Sequence, residues 1–167
     1  MPPCCWVLAE MNPLILDVEA IAIEAVVPHR GRMLLVNRLL ARDEDAVVVA
    51  ALVAADNLFA QDHGVPAWIG IEYMAQAIAA WAGCRALARG EPARIGLLLG
   101  TRRYHVSVGH FAIGAQLRIE ARRELFGDNG MGMFSCRILE GESELARAQV
   151  SVFEPPDPTA FLEAMSV

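Results

Sequence analysis

Between positions 65 and 89 the chain reads VPAWIGIEYMAQAIAAWAGCRALAR, apolar on every turn, with Glu72, Gln76 and Arg85 the strongly polar residues ahead of Arg89. A helix that is apolar on all sides is buried by the rest of its domain, and Pro66 suits its first turn. Glu72 and Gln76 are four apart, so on a helix their side chains leave neighbouring turns in the same direction. Ahead of this rod, VEAIAIEAVV predicts a short helix capped by Asp17 and stopped at Pro28. A strand over 33–40, a turn at Asp43, Glu44 and Asp45 and a Val-rich strand over 46–53 predict a hairpin, and AADNLFAQDHG at 54–64 predicts a loop. Beyond the rod, Gly90 and Pro92 end the helix, and strand-like segments follow at 95–105, 116–126, 131–139 and 144–153. GDNG at 127–130 and EGES at 140–143 are hairpin turns, and VGHFAIGAQ at 108–116 is a longer connection. PPDP at 155–158 ends the last strand and leaves a short amphipathic tail, TAFLEAM, either helical or frayed.

Two strands, one long apolar helix and four antiparallel strands make an α+β domain. A single six-stranded sheet and one major helix bury each other only if the sheet curls around the helix, which is the hotdog fold. The division expected is a disordered extension over 1–12, with Met11 as a candidate start, the hotdog domain over 13–154 and a tail over 155–167. An exposed sheet edge and an uncovered helix end predict self-association as a homodimer or higher homo-oligomer.

Composition narrows the function. The 167 residues are 55% hydrophobic and 20% charged, enough for one sizeable core. A formal net charge of −6 with no basic stripe argues against nucleic acid as a partner. All fourteen basic residues are arginine, a composition bias with no function attached. Cys4, Cys5, Cys84 and Cys136 form no CxxC pair and no histidine spacing that would build a zinc site, which suits a reducing cytoplasm. Residues 1–11 lack the basic start and apolar length of a secretory signal. A carboxylate and an amide inside the long apolar run argue against a membrane span. Nothing in the chain matches a phosphate loop, HExxH, GxSxG or EF-hand pattern.

At PHRGRMLLVNR, 28–38, and IEYMAQ, 71–76, the chain resembles the hotdog-fold 3-hydroxyacyl-[acyl carrier protein] dehydratases of fatty acid synthesis. The resemblance covers most of residues 13–153. VPAWIGIEYMAQ is similar to the divergent dehydratase-like branch found with aryl polyene biosynthesis genes. The resemblance implies loss of water from a 3-hydroxyacyl thioester held on the phosphopantetheine of an acyl carrier protein, with no cofactor of the enzyme's own. It carries the acid role to Glu72 and implies a loop histidine as base, for which His63 is the candidate. His63 lies nine positions before Glu72, nearer than in the resembling pattern, and is followed by Gly-Val-Pro.

The chemistry asks for a base near neutrality, which favours histidine, and for an acid that keeps its proton, which burial of a carboxyl promotes. Free backbone N–H groups at the helix start, around Ala67 and Trp68, are placed for the thioester oxygen as it gains charge, and Pro66 beside them is a further candidate substrate contact. Where the family has Pro-Gly, this chain has Pro66-Ala67. Plainer roles stand beside these. Glu72 could pair with an arginine, His63 could be a surface residue of a DHG turn, and Gln76, a candidate substrate contact, could instead pack the helix. His29 could hold the turn before the first strand or take part in the chemistry. Arg30, Arg32, Arg102 and Arg103 are candidates to meet an acidic carrier protein. Two other functions remain open: hydrolysis of acyl thioesters on the same fold, and a deficient subunit supporting an active dehydratase in a heterodimer with another hotdog protein.

Overall fold

The computed structural model describes residues 18–165. Six antiparallel strands form one sheet in the order β1-β2-β6-β7-β8-β4. They are β1 (Arg38–Arg42), β2 (Ala46–Leu52), β4 (Leu97–Val106), β6 (Gln116–Phe126), β7 (Met131–Glu140) and β8 (Ser143–Phe153). Alternation along the strands sends Val47, Val49, Leu117, Ile119, Ala121, Phe134, Cys136, Ile138, Ala148 and Val150 into one core. The central helix, Gly70–Ala88, lies in the hollow of that sheet and adds Tyr73, Met74, Ala77, Ala80 and Trp81 to the same core. The fold is the hotdog that the order of elements predicts.

Local chemistry explains the turns. Asp43 Oδ1 accepts the amides of Asp45 at 2.8 Å and Ala46 at 2.6 Å and closes the β1–β2 hairpin. Gly141, at φ +57°, allows the tight β7–β8 turn. Asp157 Oδ1 accepts the Ala160 amide at 3.0 Å, capping a C-terminal helix, Pro158–Met165, whose Phe161 ring packs 5.8 Å from Phe153. The tail is helical.

Three expectations are corrected. The first strand begins at Arg38 and not at 33, because the chain before it answers to the helix: the Gln76 side chain binds the Met33 carbonyl and the Leu35 amide, so 33–35 has no strand partner. The predicted N-terminal helix is two pieces, a 3-10 turn Val18–Ala20 and one helical turn Ile23–Val26. Its proposed cap, Asp17, and the extension over 1–12 lie outside the described residues. The long helix starts later than 65, since Val65–Pro66 forms a two-residue strand, β3, paired with β5 (His110–Phe111), before a 3-10 turn Ala67–Ile69.

The turn Ile23–Val26 crosses the central helix at Gly83. A Cβ at Gly83 would meet the Val26 carbonyl oxygen at 1.8 Å, so the two backbones approach as only glycine permits. This crossing fixes where the chain emerges at Pro28. β1 and β4 are the sheet edges, and β4 leaves Leu98, Leu99 and Val106 exposed. No helix among the described residues is long and apolar enough to cross a membrane.

Candidate active site

The central helix is not buried all round. Glu72, Ala75, Ala79 and Ala82 recur at helical spacing on one face and are only partly covered. That face borders a cavity of about 150 Å³ closed by Gly96 just ahead of β4, Leu97 and Leu98 of β4, Val152 and Phe153 of β8, and Trp81 and Phe126 towards the other end of the helix, with Arg94 and Glu154 also in its lining. Pro28 and His29 complete its rim beside Glu72. Three alanines leave space where larger side chains would fill it.

The carboxyl of Glu72 is fixed from two directions. Gln76, fully buried, accepts the Leu35 amide on Oε1 at 2.8 Å, which orients its NH2 group towards the Met33 carbonyl at 2.7 Å and Glu72 Oε1 at 2.8 Å. On the other side His29 Nε2 stands 3.5 Å from the same oxygen. Among the described residues no arginine pairs with Glu72, its side chain keeps 26% of its surface, and the cavity is open to it. With Oε1 accepting from Gln76, Oε2 is the oxygen left for a ligand.

The loop that brings His29 is held at both ends. Arg30 donates to the carbonyls of Val27 at 2.6 Å, His29 at 2.7 Å and Glu24 at 2.8 Å, closing the short N-terminal helical turn. Gln76 holds the other end at Met33 and Leu35. Arg30 is therefore engaged within the fold, and Arg32 reaches the Asp56 carbonyl at 3.2 Å. Arg102 and Arg103 lie on β4, where Arg103 takes φ +54° at an irregularity of the edge.

The other predicted residues stand elsewhere. His63 is on an exposed turn, its ring 6.0 Å from that of His110, and it does not line the cavity. Pro66 is buried in β3, Ala67 is buried, and Trp68 is 64% exposed. The Ala67 amide is taken by the Gly109 carbonyl at 3.0 Å, and its own carbonyl accepts from the Tyr104 hydroxyl. Gln76 has its polar atoms engaged by protein and does not line the cavity. The structure thus brings together Glu72, Gln76 and His29.

Cys84 and Cys136 are free and buried, and burial pushes the Cys84 thiol up to about 11 and Cys136 higher still. Among the described residues no cluster of histidine, cysteine, aspartate or glutamate has the makings of a metal site.

Comparison with known proteins agrees with the fold. The model of the ApeP-like family, described as ApeP dehydratase, matches residues 21–163. No curated protein matches the sequence. Among solved structures, the chain is similar to one from the dehydratase heterocomplex ApeI:P of Xenorhabdus doucetiae, at 26% identity and a TM-score of 0.79, covering 88% of this chain and 99% of that one. It shares the fold of the E. coli PaaI protein from the phenylacetic acid degradation operon, at 18% identity and a TM-score of 0.51, covering 70% and 81% of the two chains. A hypothetical thioesterase from Streptococcus pneumoniae solved with coenzyme A shares it too, at 13% identity and a TM-score of 0.54, covering 70% and 84%.

Proposed function

The chain belongs to the ApeP-like dehydratase family, and from that premise we propose that it removes water from a 3-hydroxyacyl thioester presented on the phosphopantetheine of an acyl carrier protein. The observation that carries this reading is the Glu72 carboxyl, held by Gln76 at a cavity walled largely by apolar side chains, with an imidazole 3.5 Å away. Elimination of water needs those two kinds of group at one place. The acyl chain lies along the alanine face, which runs about 15 Å from Glu72 to Ala82 at helical rise. Glu72 protonates the departing hydroxyl from Oε2. The thioester oxygen gains charge as the α-proton leaves, and the Ala67 amide, taken by the Gly109 carbonyl, is not free to receive it.

A second reading concerns the assembly and is favoured by the likeness to a heterocomplex. In it this chain works as one half of a pair with a second hotdog protein. His63, exposed and away from the cavity of its own chain, is free in such a pair to serve a site on the partner protein. The β4 edge, with Leu98, Leu99 and Val106 bare, is the surface along which a second sheet pairs. Two buried free thiols suit the reducing cytoplasm.

The test incubates a 3-hydroxyacyl carrier thioester with wild type and with Glu72→Gln and follows the enoyl product. Enoyl formation by wild type that Glu72→Gln lacks supports dehydration. Release of free thiol in its place means hydrolysis. Inactivity alone with activity on mixing with a second hotdog protein means the paired subunit.

A further inference from the structure

Dehydration leaves the identity of the base open. We propose that the base is His29 of the same chain, in a site where Glu72 and His29 return a proton to each other after each turnover. The inference rests on the dehydration reading above and adds a residue to it.

The first support is position. His29 and Glu72 line the same cavity, and Nε2 stands 3.5 Å from Oε1. The second is the state of the ring. His29 Nδ1 is buried without a hydrogen-bond partner among the described residues, while the side chain as a whole keeps 31% of its surface. Nε2 is therefore the nitrogen presented to a ligand. The third is rigidity. Arg30 binds three carbonyls on one side of His29, including its own, and Gln76 binds Met33 and Leu35 on the other. An imidazole held in place by its backbone meets the geometric requirement that precedes any question of proton affinity.

The step balances without an outside reactant. His29 Nε2 takes the proton from the carbon α to the thioester carbonyl, and the C–H electron pair becomes the new carbon–carbon double bond. The bond from the β-carbon to its hydroxyl oxygen breaks, and its electron pair leaves on that oxygen, which takes the Glu72 proton and departs as water. Nothing is oxidised or reduced. An imidazolium and a carboxylate are left side by side, and return of the proton from Nε2 to the Glu72 carboxyl restores both groups.

Two reactions separate this proposal from the reading beneath it. Loss of water from a 3-hydroxyacyl thioester needs acid and base. Exchange of the α-hydrogen of a saturated acyl pantetheine thioester with D2O has no hydroxyl to expel and reports the base. Wild type, His29→Gln, His29→Ala and His63→Ala are compared in both, with thermal melts to show that each variant is folded. His29→Gln keeps the size of the ring and guards against collapse of the loop in His29→Ala. The expected result is a fall of about 10²–10⁴-fold in both reactions for His29→Gln. Wild-type exchange by folded His29→Gln, or a loss that falls on His63→Ala instead, overturns the proposal. A wild type that performs neither reaction, alone or mixed with a second hotdog protein, removes the dehydration reading and the proposal with it.

Discussion

Glu72 and Gln76, one helical turn apart, are joined by a 2.8 Å hydrogen bond in which the buried amide is the donor. The direction of that bond is set from outside the helix, because the Leu35 amide claims the oxygen of Gln76 and turns its nitrogen towards Glu72. One side chain thus holds both the carboxyl and the approach to the first strand. Gln76→Leu should leave the Leu35 amide and Met33 carbonyl unpaired, at about 1–3 kcal/mol for each buried group. Urea denaturation should show the loss in its midpoint. Gln76→Glu keeps an acceptor for Leu35 but turns an oxygen on Met33 and Glu72, and is expected to be at least as destabilising.

At Gly83, alanine would place a carbon inside the van der Waals radius of the Val26 carbonyl. The obstacle is backbone on both sides, so the Ile23–Val26 turn must move away. Gly83→Ala should cost at least about 1–3 kcal/mol, and because that turn leads into Pro28 and His29 it should also lower activity in the fraction that stays folded. A melting temperature equal to wild type would show that the crossing is looser than described.

The three alanines on the cavity face make substrate length a property of the helix. Ala79→Leu fills space between Glu72 and the Trp81–Phe126 end without touching either acid or base. The expected outcome is a drop of about tenfold or more in kcat/KM for long acyl thioesters, with short ones near the wild-type value. Equal losses for both lengths would place the acyl chain elsewhere.

Alkaline pH should loosen the fold by a calculable sign. Cys84, lifted to about 11 from an ordinary 9.0 by burial against the pull of Arg42, is protonated when folded over a range in which the unfolded thiol is ionised. Its contribution is fully present below pH 9 and is lost as pH rises through 11, at up to about 1.4 kcal/mol per pH unit. Tyr104, raised to about 12 by burial, extends the same trend. Cys84→Ala should flatten the stability profile between pH 9 and 11 measured by urea denaturation.

Much of this was legible in the chain. GDNG and EGES set the hairpins, so the strand expected over 116–126 matches to the residue and the two that follow it match to within one position of their ends. Glu72 stood out because a carboxyl inside an apolar helix must be explained. What escaped was tertiary. The strand expected from Met33 fails because Gln76 takes its hydrogen-bonding groups, and no local propensity records that. The two-residue pairing of Val65–Pro66 with His110–Phe111 is too short to show as alternation. His29 was visible within PHRGRMLLVNR, but only the Gly83 crossing and the Arg30 clasp bring it to Glu72, and neither follows from spacing. The face Glu72, Ala75, Ala79 and Ala82 was present in the sequence too, hidden by alanine counting as apolar when its smallness was the signal.

The most direct measurement is the rate of enoyl thioester formation from a 3-hydroxyacyl carrier thioester by wild type and by Glu72→Gln at equal folded concentration, with a second hotdog protein present in a parallel arm. The account predicts water loss by wild type, alone or in that pair, and a fall of at least about 10²-fold in Glu72→Gln. Enoyl formation at the wild-type rate by Glu72→Gln would contradict it.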